Sequence, residues 1–358
     1  MTNDETDLSN VKTNGPSAKL RNASGSTTTD VNKEMIEAAL KKTPTGGNSK
    51  PFLWDWKNNT LEIRHDEKLA AHYLNRNDHT SWIALGCLLE SVQIAAANQN
   101  WSTEVTIHGS ANATIQFKKL MIEDKSNENY ARLLKRTTYR GAFKPSEAPT
   151  VTADSNHQGE QVVQIKTLAA KDLTTAFKNL LVTADTYLWL QTKATKAFFK
   201  EVRFFEDNKE DRGIRSKDLG VGIMDQIMLF CFSFMPWMIK WVVKTPVLNL
   251  SFKKVSLQNI KNSHFVLVTS HGFDPQSLIL VGRQSLKAWL NLEEQGFSVQ
   301  PYSTASITLV DAATGFLPQD TLSVFKKLFS VNGPAIYQEQ FKLFSSEKPV
   351  WLFRVGKK

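Results

Sequence analysis

The sequence predicts an α+β protein, and three observations carry that prediction. Apolar residues recur at helical spacing in several long stretches. A period-two alternation around Asn58-Asn59 marks a hairpin. One long helix pattern appears twice, near either end of the chain. The 358 residues are 41% hydrophobic, enough to bury one large core or two ordinary ones. The net charge of +9 suits an anionic partner. Its basic residues are scattered among many acids, however, so charge alone selects no partner and no nucleic-acid interface is expected.

In chain order, residues 1–31 are polar, carry acids early and lack an apolar run of the secretory type, so they are expected to be a disordered leader. "NKEMIEAALKK" places Ile36, Ala39 and Leu40 on one side of a helix and runs into "TPTGGNSKPF", a turn-forming cluster. The hairpin follows. "TSWIALGCLLESVQIAAANQNW" then spaces Ile83, Leu85, Leu88, Leu89, Val92, Ala95 and Ala96 as a strong helix, and "TEVTIHG" and "TIQFKKLMI" read as strands. Residues 167–204 predict two helices, "HFVLVTS" a strand, and "KPVWLFRVGKK" a closing strand interrupted by Arg354.

The stretch "IMLFCFSFMPWMIKWVV", Ile227–Val243, falls short of the roughly 20 apolar residues a spanning helix needs and contains Pro236 and Lys240. A buried or lid-like helical pair is expected there. The alternative is an interfacial membrane helix, to which Trp237, Lys240, Trp241 and Lys244 are suited. Cys87 and Cys231 lie in apolar surroundings with neither CxxC nor Cys/His spacing, so no disulfide framework or zinc site is expected and a reducing cytoplasm is the natural compartment. The histidines have no acid or cysteine at triad or metal spacing. Neither a GxGxxG nor a Walker loop is present.

"GCLLESVQIAAANQNWSTEV" and "GRQSLKAWLNLEEQGFSVQP" align without a gap. Gly86 and Gly282 open the two segments, Asn100 and Gly296 occupy the turn positions, and Trp101 and Phe297 lead into extended chain. Glycine at each helix start and a left-handed turn residue at each end point to internal duplication. "RTTYRGAF", Arg136–Phe143, crowds two arginines and two threonine hydroxyls together. On a helix the arginines share a face; in a turn Arg136, Thr138 and Arg140 converge on one anion.

These pieces, in this order, resemble the nitroreductase family of flavin enzymes, particularly its internally duplicated Acg-like branch and relatives associated with E1-like adenylating proteins. "TPTGGNSKPF" is similar to the family's Ala-Pro-Ser-x-x-Asn-x-Gln-Pro-Trp loop, "RTTYRGAF" to its Arg-x-Ser/Thr-x-Arg-x-x-Phe motif, and "WLFRVG" to its terminal strand. The resemblance spans about 32–358 and implies two related halves, 32–128 and 129–358, forming a pseudo-dimer in one chain, with an apolar insertion over about 219–250. It also implies an FMN site. Arg136, Thr138 and Arg140 would hold the phosphate and ribityl hydroxyls, Arg354 would complete the phosphate shell, and Asn48 would face the isoalloxazine edge or ribityl chain. Lys50 stands where the family has glutamine. Ser298 and Val299 are the candidates for backbone donors to flavin N5 and O4. The implied activity is two-electron transfer from NAD(P)H or another donor to a small molecule. The alternatives are a flavin store, a partner of an adenylating enzyme, and a flavin-free peripheral membrane protein.

Overall fold

Asn32 starts the first helix, α1 (Lys33–Lys42), by accepting the Met35 amide, and Lys41 and Lys42 close it at the negative end of its dipole. The computed structural model describes residues 30–120, 128–151, 163–204 and 212–358. The expected leader lies outside the described residues except for its last two. The expected hairpin is β1 (Phe52–Lys57) and β2 (Thr60–His65), paired from Phe52↔His65 to Lys57↔Thr60, with Asn58 in the left-handed conformation its short polar side chain tolerates. After the short α2 (Glu67–Ala70) comes α3 (His79–Ala97), then β3 (Trp101–His108) and β4 (Asn112–Lys119). These four strands form an antiparallel sheet in the order β1-β2-β4-β3.

Helix α4 spans Glu128–Lys135. Beyond it lie β5 (Gln164–Leu168), α5 (Thr175–Leu190), α6 (Thr192–Glu201), the short parallel pair β6 (Val202–Arg203) and β7 (Ile214–Arg215), then α7 (Ile223–Phe234), α8 (Pro236–Lys244) and α9 (Pro246–Ile260). The remainder comprises β8 (His264–Ser270), α10 (Pro275–Glu294), β9 (Ser298–Pro301), α11 (Thr304–Ala313), α12 (Ser323–Lys327), α13 (Gly333–Phe341) and β10 (Lys348–Gly356). A second antiparallel sheet has the order β5-β8-β10-β9. Its β8 is buried along its whole length, as a continuous apolar run requires. The protein is thus α+β, and each four-stranded sheet draws its strands from one side of residue 128.

Helices α3 and α10 join the two sheets. Arg76–Ala97 is long and apolar enough to cross a membrane, but most of it is enclosed by the protein, as a central core helix must be. The two glycines, expected at helix starts, instead sit mid-helix, where the helices cross. A Cβ on Gly86 would meet the Ile279 carbonyl oxygen at 2.0 Å and the Gly282 Cα at 2.9 Å. A Cβ on Gly282 would meet the Ile83 carbonyl oxygen at 2.0 Å and the Gly86 Cα at 2.9 Å. The contact is reciprocal, residue for residue, and only glycine permits backbones to approach so closely. Beyond the crossing each helix reaches into the other's core: Ile279, Leu286 and Leu290 pack with the first sheet, and Ile83 packs with Val266, Val268 and Phe353 of the second. Asn100 and Gly296 take the left-handed φ of 63° and 74° expected of the two turn positions.

The apolar stretch is a helical pair, α7 and α8, broken at Pro236 where the ring removes an amide. Of the buried or lid-like pair expected, the buried form does not hold for α7, none of whose residues is buried. The inner side of the pair, with Ile239, Leu229 and Phe232, packs on Phe199 and its neighbours Trp189, Phe198 and Phe204.

Helix α9 packs on α5, where Asp185 accepts bonds from Tyr302 and Ser256. Removal from water pushes the Asp185 carboxyl up from 3.8 to about 6. A raised folded-state pKa means that the folded protein holds the extra proton. The stabilisation is therefore complete below 3.8 and disappears as pH rises to about 6. Across that window unfolding free energy should fall by at most about 3 kcal/mol for this group. Urea unfolding at pH 4.5 and 7 should show a smaller fall in Asp185→Asn than in the parent; equal slopes would remove Asp185 as the cause.

Candidate functional site

A cavity of about 640 Å³ opens beside the crossing of α3 and α10. Its inner wall is apolar: Ile83 and Ala84 of α3, Leu286 and Trp289 of α10, Ile307 of α11, and Phe353 of β10. Among the described residues, six cationic ones, Lys41, Lys42, Lys50, Arg136, Arg140 and Arg215, line it against one carboxylate, Asp218. An apolar slot with convergent positive charge suits a flat ligand with an anionic end.

The turn cluster after α1 forms one lip. Thr43 ties it to α3 by bonding Ser91 at 3.1 Å, and Thr45 accepts the Lys50 amide at 3.1 Å. Gly47, Asn48 and Lys50 all take positive φ, so the chain curls tightly around the opening. Its φ of 59° favours glycine at Gly47, and a Cβ there would meet Glu201 Oε2 at 2.2 Å, so that side chain would have to move. Asn48 bonds Gly213 twice: Nδ2 donates to its carbonyl and the Asn48 carbonyl accepts its amide, each at 3.1 Å. His72 stands at the same lip with Nε2 3.2 Å from Glu201 Oε2, while Nδ1 accepts the Leu74 amide, which places the ring proton on Nε2.

The arginine motif forms the opposite lip. Its start continues α4 by one bond, Arg136 N–H to the Arg132 carbonyl, and then the chain runs extended along β9, with Thr138 bridged to Val299 and the Tyr139 amide donating to Val299 O at 3.0 Å. The arginines therefore converge through extended chain rather than on one helical face. Arg136 stacks 4.3 Å over the Trp289 ring, donates Nη2 to the Lys42 carbonyl at 2.6 Å, and buries its Nε without a hydrogen-bond partner. Loss of water lowers its pKa to about 10, which leaves it charged at neutral pH. Arg140 donates to the Asp218 carbonyl at 3.1 Å, and desolvation lowers its pKa too. Ser285 Oγ, on the inner face of α10, is a second buried polar atom without a partner. Cys87 donates to the Gly282 carbonyl, and burial pushes its thiol up to about 12, so it is a wall residue and not a nucleophile.

Asn48, Lys50, Arg136, Thr138 and Arg140 thus meet at one cavity. Ser298, Val299 and Arg354 do not line it. Val299 is fully buried behind the arginine motif, and Ser298 pairs with Gly356 in the ladder. The cavity receives instead the following residues, Pro301, Ser303 and Thr304. Arg354, expected to complete the phosphate shell, is fully buried and is not among the residues lining the cavity. It donates to Gln300 Oε1 at 2.7 Å, to the Gly141 carbonyl at 2.9 Å and to the Asn259 carbonyl, with its guanidinium 4.5 Å from the Phe143 ring. Side chains alternate along β10, so with Trp351 and Phe353 on the cavity, Arg354 faces the other way. It holds the motif loop at the Gly141 carbonyl.

Among the described residues, no group of three histidine, cysteine or acidic side chains is placed to hold a metal ion. No family model matches the chain, and no curated protein matches it.

Proposed function

We propose that the protein is an FMN-binding oxidoreductase of nitroreductase type, with two related halves arranged as a pseudo-dimer around one flavin cavity. The observation that carries the reading is the convergence of Asn48, Lys50, Arg136, Thr138 and Arg140, from two distant segments, on a cationic cavity with an apolar wall. Two details support the fit: Arg136 Nε and Ser285 Oγ are buried at this wall without a partner, as donors reserved for a ligand would be. The reciprocal glycine crossing supports the duplicated arrangement.

In this reading Arg136 and Arg140 bind the phosphate with charge-assisted bonds, and Thr138 binds its oxygens or the ribityl hydroxyls. Trp289, Ile83 and Phe353 exclude water from the ring, and the Asn48 amide meets a polar edge of the ligand. Bound there, FMN supplies two-electron transfer between NAD(P)H and a small electrophilic acceptor.

The test is an absorbance spectrum of the purified protein between 300 and 550 nm, with titration of FMN into any colourless fraction. About one FMN per chain is expected; a protein that neither carries nor takes up FMN is not a flavoprotein.

A further inference from the structure

Helix α7 is apolar on nearly every face, yet none of its residues is buried. Such a helix normally lies in a core or a membrane, because exposed apolar area costs about 25 cal/mol per Å² in water. Its inner side is already occupied by the aromatic cluster around Phe199. The outer side presents Met224, Met228, Cys231 and Met235 at helical spacing, flanked by Ile223, Ile227 and Phe234. Met224 and Phe234 are 73% and 70% exposed. The stripe continues onto α8 with Trp237 and Trp241, 54% and 66% exposed, and Lys244 lies 5.8 Å over the Trp241 ring. This is too large and continuous to be ordinary scattered surface hydrophobicity.

We propose that the outer face of α7 and α8 docks on an anionic lipid bilayer, lying in the headgroup boundary. Length rules out a span: the 12 residues of α7 cover about 18 Å against a hydrocarbon core of about 30 Å, and Pro236 ends the helix. Composition selects the boundary, because tryptophan and lysine at the margin of an apolar face place their rings and ammonium groups among headgroups. Charge selects the lipid. Residues 219–260 contain four lysines and a single acid, Asp225, whose carboxylate is engaged by the Gly222 amide at the start of α7. Lys217, Lys244, Lys253 and Lys254 are exposed. Lys244 stands beside the Trp241 ring at the margin of the face, where an anionic surface pairs it. The inference does not depend on flavin binding. It does bear on access, because the segment Gly213–Asp218 at the cavity leads directly into α7.

The experiment is flotation of the full chain with vesicles of phosphatidylcholine alone, or with about a third of the lipid as phosphatidylserine. Partitioning should be at least about tenfold greater with the anionic vesicles, and should fall by at least about tenfold in Trp237→Ser/Trp241→Ser and in Lys244→Glu. Thermal unfolding of each variant checks that the fold persists; these side chains are exposed, so it should. Lack of association by the parent, or association unchanged in both folded variants, overturns the proposal. So does a concentration-dependent doubling of mass that the tryptophan variant abolishes, which would make the occupant a second copy.

Discussion

Gly86→Leu, or its counterpart Gly282→Leu, is expected to cost at least about 4 kcal/mol of stability, more than ordinary overpacking of a core. Overpacked cores usually relax because neighbouring side chains rotate. Here the new Cβ would lie 2.0 Å from a carbonyl oxygen and 2.9 Å from the opposing Cα, both backbone atoms. The helices can accommodate it only by moving apart, which opens the cores on both sides because Ile83, Ile279, Leu286 and Leu290 are shared across the crossing. Gly109→Ala is the control: nothing lies within 4 Å of the added carbon, and its effect should stay within about 0.5 kcal/mol. Urea unfolding midpoints decide the matter. If Gly86→Leu unfolds with the Gly109 control, the close approach of the helices does not hold in solution.

The second large effect concerns binding. Arg136→Ala combined with Arg140→Ala should weaken FMN affinity by about a thousandfold or more, since each charge-assisted bond contributes about 1.5–3 kcal/mol. Unfolding should remain cooperative, because both side chains border the cavity and neither belongs to an apolar core cluster. Arg136→Lys separates charge from shape: it keeps the cation but gives up the fork and the stack on Trp289, and should weaken binding by about tenfold. Flavin titration followed by fluorescence quenching measures all three. Parental affinity in the double variant would eliminate the arginines as phosphate ligands.

The local elements were legible because each is set by nearby residues. Asn32 and the lysines fix α1, Asn58 fixes the hairpin, and periodicity exposes the long helices. The role of the glycines was not legible: their equivalence shows in the alignment, but a crossing is a tertiary relation, and glycine within a helix has no local signature that separates it from a cap. At the site, Asn48, Lys50 and the arginine motif could be read because compact motifs carry them. Arg354 could not be placed, because a one-residue alternation decides which face of β10 it takes, and the sequence does not say which face is the cavity's. Ser285 and Trp289 were overlooked although their spacing of four puts them on one side of α10. Arg215 and Asp218 lie far along the chain from the turn cluster and the arginine motif and reach the cavity only through tertiary contact.

The cavity wall takes side chains from both α3 and α10 of the same polypeptide. A pocket shared between separate subunits obeys mass action: dilution dissociates the subunits and the pocket with them. In this chain the covalent connection holds each helix at a fixed effective concentration around the other, independent of how much protein is present. Ligand affinity at this cavity should therefore be the same at nanomolar and micromolar protein.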